Sequence, residues 1–379
     1  MTSMVRRTAL AAAAAMALLV GAQGAYAAGP EIVEGPGYLP ECFAPWNADT
    51  KFFQWEKKEG PYRIALVNGF VGNTWRIQMI QTAKAYAESP GIKDKIKEFK
   101  VVSVGTDAAA QLGAIEDFIN QGFDAIVTIA VSPEGFDRVI RLADRNGVVI
   151  VPFDNTLDTD KVMQVNEDQY QMGKMSGEFL VKEMGKTSGK VLEVRGVPGN
   201  SVDRDRHQGL HDALNAAGKF EVVEIVGNWD TGTSQKATAD ALAVHGHFDA
   251  IFTQGGSDGT VRALMDAGHP FVPMAGEGEN GFRKQIAQYS KEGLKGLSYG
   301  QSPGLVAIST KAAIAALEGN TMPQMISVPI PVADYTTLKD GENYWSDLTD
   351  AFFTPNEFPP CDVNIKAVDI MAKTAENVE

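Results

Sequence analysis

Residues Tyr62 to Tyr86 read YRIALVNGFVGNTWRIQMIQTAKAY, and the period of their apolar residues changes halfway along. Ile64, Leu66 and Val67 sit in an apolar run too short for anything but a buried strand. Asn68, Gly69, Gly72 and Asn73 then make a turn, and from Thr74 the residues Trp75, Ile77, Met79, Ile80 and Ala83 fall mostly at helical spacing. Asn73 or Thr74 supplies a side-chain oxygen able to cap that helix. A buried strand feeding a helix through a polar turn opens a βαβ unit, and open parallel sheets bind small ligands beyond the carboxyl ends of their strands. Asn73, Trp75 and Arg76 are therefore the first candidates for ligand contact.

The alternation continues along the chain. Short apolar strands are predicted at Phe99 to Val104, Ala125 to Ala130, Val148 to Phe153, Lys190 to Val194, Glu221 to Val226, Ala250 to Thr253, Phe271 to Ala275 and Gly296 to Tyr299. Amphipathic helices fall between them, as at Ala108 to Asn120, with Leu112, Ile115, Phe118 and Ile119 on one face. This alternation predicts an α/β protein with parallel sheets and helices on both faces. The pattern runs twice, breaking near Val165-Asn166-Glu167, which predicts two similar lobes. Residues 28–60 are rich in Pro, Gly and aromatics without a period and read as a lead-in packed on the outside. From Tyr335 to Glu379 the pattern is lost again, and Tyr344, Trp345, Phe352, Phe353 and three prolines make a tail.

At 379 residues the chain exceeds one ordinary core, in keeping with two domains. Its 44% hydrophobic and 22% charged residues are those of a globular protein. Arg6 and Arg7 precede an uncharged run from Ala9 to Val20, and Ala25-Tyr26-Ala27 offers small residues where a signal peptidase reads. Residues 1–27 are thus expected to be a signal peptide cleaved near Ala27, by ordinary secretion because the rest of a twin-arginine motif is missing. The formal charge of −14 becomes −16 once Arg6 and Arg7 are removed, which argues against a nucleic-acid partner. In an exported protein the two cysteines, Cys42 and Cys361, read as a disulfide. The alternatives are two separate thiols or metal ligands, and neither cysteine has a second Cys or a His close in sequence.

Three motifs imitate enzymes. Gly276-Glu277-Gly278-Glu279-Asn280-Gly281 matches GxGxxG, but two glutamates inside the turn would repel a pyrophosphate. Gly300-Gln301-Ser302-Pro303-Gly304 matches the nucleophile elbow GxSxG, whose oxyanion hole needs the N–H that Pro303 lacks. His207 and His211, four apart on a predicted helix, could hold a metal from one face, but no carboxylate or cysteine completes a HExxH-like pattern. They read as solvated or capping histidines, as do His245 and His247. No cofactor and no metal are expected.

What remains is a repeat of one chemistry at the strand ends. Asp154 and Asn155 follow the strand Val148 to Phe153, and Arg206 follows the loop after Lys190 to Val194. Trp229, Asp258, Glu277 and Gln301 follow the next four strands in turn. Carboxylates that accept from neighbouring hydroxyls, forked guanidinium and amide groups, and indole faces suit a ligand rich in OH groups. No nucleophile stands beside a base, so binding without chemistry is the expectation.

These segments resemble the periplasmic sugar-binding proteins of ABC importers, specifically the ribose- and galactofuranose-binding group, over roughly residues 61–330. The resemblance rests on IALVNGFVGNTW (64–75), GVVIVPFDN (147–155), RGVPGNSVDRDRHQGL (195–210) and GQSPGLVA (300–307). It implies two Rossmann-like lobes, residues 61–166 plus 301–326 and residues 167–300 plus 327–334, with 335–379 a tail outside the resemblance. They are joined by three crossovers, near Asn166 to Asp168, Ser298 to Ser302 and Met325 to Pro329, and close on a monosaccharide or polyol. Asn73 matches the family's first-loop asparagine, Trp75 a stacking aromatic, Asp154 the aspartate that bridges hydroxyls, Arg206 the second-lobe arginine and Gln301 the glutamine of the last crossover. Asn155 stands where the ribose binders have arginine. Two positions depart from the pattern: Gly256 replaces an asparagine and Gly278 aligns near an aspartate, with Ser257, Asp258, Glu277 and Asn280 on hand to substitute. The resemblance further implies a periplasmic monomer that delivers its solute to a membrane permease. The alternative is a carrier of the same fold for a nucleoside, a furanone-type signal, an amino acid or a chemoreceptor.

Overall fold

The computed structural model describes residues 29–377. The predicted signal peptide, 1–27, and its cleavage point lie outside these residues.

Along Tyr62–Asn68, Ile64 and Leu66 face one side, Ala65 and Val67 the other, and all four are fully buried. A strand apolar on both sides must sit inside a sheet covered twice. Three short strands precede it, β1 (Glu31–Val33), β2 (Ala44–Pro45) and β3 (Phe52–Gln54). The first lobe then runs β4 (Tyr62–Asn68), α1 (Thr74–Ala87), β5 (Ile96–Ser103), α2 (Ala108–Asn120), β6 (Ala125–Ile129), α3 (Asp137–Asn146) and β7 (Val149–Pro152). Its four strands are parallel in the order β5-β4-β6-β7, with Leu66 opposite both Val101 and Val127. Met79 of α1 fills one face of this sheet, and Ile115 and Phe118 of α2 the other.

Strand β8 (Gln164–Glu167) carries the chain across to α4 (Gln169–Met184), β9 (Ser188–Arg195), α5 (Ser201–Ala217), β10 (Lys219–Val226) and α6 (Thr231–His245). Then come β11 (Ala250–Thr253), α7 (Ser257–Asp266), β12 (Met274–Gly276), α8 (Asn280–Tyr289) and β13 (Gly296–Tyr299). The helix α9 (Leu305–Leu317) returns to pack on β6 and β7, followed by β14 (Met322–Pro323), β15 (Met325–Val328) and β16 (Val332–Asp334). The second sheet has the order β10-β9-β11-β12-β13-β16, parallel except for its last strand. Between the sheets, β8 and β15 lie parallel, with Val165 opposite Ile326. Together with the segment after β13, they make a three-strand hinge.

Two expectations need correcting. The lead-in is not an outer wrapping: β1 pairs with β3 and β3 with β14, β2 pairs with β15, and Phe43, Phe53 and Trp55 are buried in the core of the first lobe. Strands of two or three residues are too short to show a period, so the sequence concealed them. The strand predicted at Phe271 to Ala275 begins only at Met274, because Pro273 has no N–H to donate to a neighbouring strand.

The tail holds β17 (Glu357–Phe358), β18 (Val363–Asn364) and α10 (Ala367–Met371), and it touches both lobes. On the second lobe, Asn280 Nδ2 donates to the carbonyl of Trp345 at 2.8 Å and Asn280 N–H to that of Phe352 at 2.7 Å. On the first, Phe353 N–H donates to Gln78 Oε1 at 2.8 Å and Gln78 Nε2 donates back to its carbonyl at 2.9 Å. Cys361 then bonds to Cys42, with Cα atoms 4.6 Å apart across 319 positions.

Candidate functional site

The turn after β4 is organised by its own polar groups. Asn73 caps α1, its Oδ1 accepting the Arg76 N–H at 2.9 Å, which aims the first helical turn and sets Trp75 and Arg76 at the sheet edge. Arg76 is buried; its Nη1 donates to Asn68 Oδ1 at 2.8 Å, and its guanidinium lies 4.9 Å from the centre of the Phe70 ring. Burial lowers its pKa to about 10, which leaves it charged at neutral pH. Trp75 Nε1 donates to the Gln301 carbonyl at 2.9 Å. Past β7, Asp154 sits at φ +60°, in the left-handed region that an aspartate tolerates better than most residues, and Asn155 Nδ2 donates to the Ala130 carbonyl at 2.8 Å.

The second lobe answers with an ion pair. Arg206 of α5 is fully buried, its Nη1 2.6 Å from Glu277 Oε1 and its Nε donating to Gln169 Oε1 at 2.9 Å. Its Nη2 donates to Gln301 Oε1 at 3.0 Å, and Gln301 Nε2 donates in turn to Asp154 Oδ1. One hydrogen-bonded chain therefore runs Glu277–Arg206–Gln301–Asp154 from lobe to lobe through the hinge. Trp229 stands at φ +54° against Gly196, where a Cβ would come within 2.2 Å of the indole. Its Nε1 is buried and has no hydrogen-bond partner among the described residues.

Asn73, Trp75, Arg76, Asp154, Asn155, Arg206, Trp229, Glu277 and Gln301 thus line one cleft, nine of the ten predicted positions. The space these side chains enclose is only about 40 Å³, a narrow gap between the two facing sides. Asp258 is the exception. It lies in the first turn of α7, where one oxygen pairs with Arg262 Nη1 at 2.8 Å and the other accepts from Thr231 Oγ1 at 3.2 Å, away from the cleft. Helix geometry satisfied it locally, which position after a strand could not foretell. Asn280, offered as a substitute ligand group, is spent on the tail, and Ser257 on Glu279 and Glu277.

The electrostatics differ across the cleft. Burial raises Asp154 to a pKa of about 6, against the opposing pull of Arg76 and Arg206. Burial also raises Glu277, while the contact with Arg206 draws it back toward ionisation. Arg206 loses stability of its charge to burial but is held above its ordinary value by Glu277, Tyr299 and Asp154. Two carboxylates, two guanidiniums, an unpartnered indole N–H and two aromatic faces therefore converge on one small space.

Known proteins share this arrangement of chain. A family model described as periplasmic binding protein domain matches residues 64–321. The chain belongs to the periplasmic binding protein family. Among relatives, the ribose import binding protein of Bacillus subtilis is 25% identical over 72% of this chain and 87% of its own length. The D-ribose/D-allose-binding protein of Pseudomonas aeruginosa is 30% identical over 56% of this chain and 69% of its own. The solved structure of a periplasmic solute-binding protein of an ABC transporter from Actinobacillus succinogenes, with bound D-allose, covers 73% of this chain and 98% of its own with a TM-score of 0.65; at 22% identity it speaks for the fold.

In this periplasmic binding protein the enzyme-like motifs have structural duties. Ser302 is buried, its Oγ donating to the Pro355 carbonyl and accepting from the Gly304 N–H at 2.9 Å. Glu279 folds back to accept from the Gly256 N–H at 2.6 Å. Phe70, Val202 and Phe353 also line the cleft and were not anticipated. Phe70 stands inside the opening stretch, two residues past the strand, and its position was a signal passed over. Phe353 had none: it reaches the cleft through Gln78, which is 275 positions away.

Proposed function

We propose that this periplasmic binding protein captures a monosaccharide or polyol in the cleft between its lobes and presents the closed form to an ABC permease. The support is the chain of hydrogen bonds from Glu277 through Arg206 and Gln301 to Asp154, which bridges the lobes and ends in the cleft at both sides. Asp154 and Glu277 accept from ligand hydroxyls, Arg76 and Asn73 donate, Asn155 adds an amide, Trp75 and Trp229 cover the C–H faces, and the Trp229 N–H finds in the ligand the acceptor it otherwise lacks. The moving halves are residues 61–166 with 301–326 and residues 167–300 with 327–334, pivoting on the hinge. A ligand that touches both lobes stabilises the closed state alone and shifts the population toward it. The protein works as an exported monomer, without catalysis, cofactor or nucleic acid. Among the described residues no helix is long and apolar enough to cross a membrane.

A thermal-shift screen of the mature protein against pentoses, hexoses, furanoses and polyols tests this, since a ligand bound only by the folded state raises Tm. One or a few of these solutes should raise Tm in a concentration-dependent way. If none does, and a nucleoside or amino acid does, the sugar assignment is wrong.

A further inference from the structure

The carboxylate that the sequence pattern lacked for His207 and His211 comes from a different element. Glu193, in β9 and fully buried, lies 2.9 Å from His207 Nδ1 and 3.0 Å from His211 Nε2 through the same oxygen. Glu224 of β10 approaches His207 Nδ1 at 4.0 Å from the rim. One donor atom from each of the four lies within 4.8 Å of the others. We propose that Glu193, His207, His211 and Glu224 form a binding site for a divalent first-row transition ion, distinct from the solute cleft.

Three properties support it. Two imidazoles and two carboxylates are the donors that zinc and its neighbours take, with metal–ligand distances of about 2.0–2.2 Å that set tetrahedral donors about 3.4 Å apart; Glu193 stands 2.9 and 3.0 Å from the two imidazoles, and Glu224, 4.0 Å from His207, closes in from the rim. Acidic groups outnumber basic ones around the imidazoles: Glu193, Glu224 and Asp203 face one Arg195, an excess that a dication offsets. Arg195 is positioned to orient the site, with Nη1 2.7 Å from Glu224, Nη2 2.6 Å from Asp203 and Nε 3.7 Å from Glu193. The ligands are also reachable, because the histidine side chains are about a quarter exposed and Glu224 is 44% exposed, while Glu193 closes the floor. An ion there joins β9, β10 and α5 into one cross-linked unit.

The test is calorimetric titration of the chelator-treated, oxidised mature protein with ZnCl₂. One ion per chain should bind with a micromolar or lower Kd, and Tm should rise with zinc concentration. His211→Gln should weaken binding at least tenfold, and the double variant His207→Ala/His211→Ala should abolish it. His247 and His269, stacked with ring centres 4.9 Å apart, are the competing imidazole pair, and His247→Ala should leave the affinity unchanged. No saturable binding, or binding lost in His247→Ala instead, overturns the site. Should the double variant not fold, His211→Gln and Glu224→Gln decide: undiminished affinity in both overturns it equally.

Discussion

The two sides of the cleft hold their charges in opposite ways. On the second lobe, Arg206 and Glu277 neutralise each other at 2.6 Å, and Gln169, Gln301 and the Gln254 carbonyl accept further N–H groups of the guanidinium. On the first lobe, Arg76 leans on Asn68 and Phe70, Asp154 on Gln301, and neither ion touches the other. The second lobe is a preset wall; the first keeps charged groups in reserve and carries their desolvation until a ligand arrives. A binding protein needs both, since a fully satisfied cleft has nothing left to offer and a fully unsatisfied one would not fold.

The largest effect should come from breaking the satisfied side. Arg206→Met leaves Glu277 buried without its partner and should cost about 3–5 kcal/mol of stability, read by urea or thermal unfolding, with solute binding lost. The double variant Arg206→Met/Glu277→Leu removes the orphaned charge and should recover most of the stability and none of the binding. If the single variant unfolds no more easily than the parent, the wall is not preset by this pair.

The unsatisfied side should respond in the opposite sense. The pKa of Asp154 is about 6 in the fold against an ordinary 3.8, roughly 2 units and thus on the order of 3 kcal/mol. Because the folded value is the higher one, the stability from this group is complete below about pH 4 and is lost as pH rises through 6. At pH 7 the ionised carboxylate is a liability that function retains. Asp154→Asn should therefore raise stability by about 1–3 kcal/mol at pH 8, with the gain fading by pH 4. The asparagine also suits φ +60°. The same change should weaken solute binding at least tenfold, about 1.4 kcal/mol, and the parent should itself bind less tightly below pH 6. An unchanged melting profile with unchanged affinity would remove Asp154 from the cleft's working set.

Much of this was legible beforehand because the period of apolar residues reports burial directly. The helix Ala108–Asn120 and the strands Ala250–Thr253 and Gly296–Tyr299 are found where the alternation puts them. Strand ends pointed to nine cleft residues for the same reason: in a parallel sheet, sequence order and the edge of the fold coincide. The failures share a cause as well. Asp258, Phe353 and the carboxylate facing His207 are decided by which way a side chain turns or by contacts across long separations, and a local pattern carries neither.

The smallest effect tests the aromatic covers, one from each lobe. Trp75 is fixed by its own hydrogen bond to the hinge, whereas Trp229 is fixed by shape, lying on Gly196 with its N–H free. Gly196→Ala puts a methyl group where the indole is, at 2.2 Å, so the ring must move while the sheet beneath it stays. Affinity should fall a few-fold, about 0.5–1.5 kcal/mol, with little change in melting temperature. Trp229→Phe separates the two roles of the residue, since it keeps an aromatic face and loses the donor. A loss in Gly196→Ala matched by Trp229→Phe assigns the effect to the N–H, and a loss in Gly196→Ala alone assigns it to the face. If calorimetry finds both variants binding like the parent, the ligand is covered from the first lobe only and the closing lobe contributes charge without stacking.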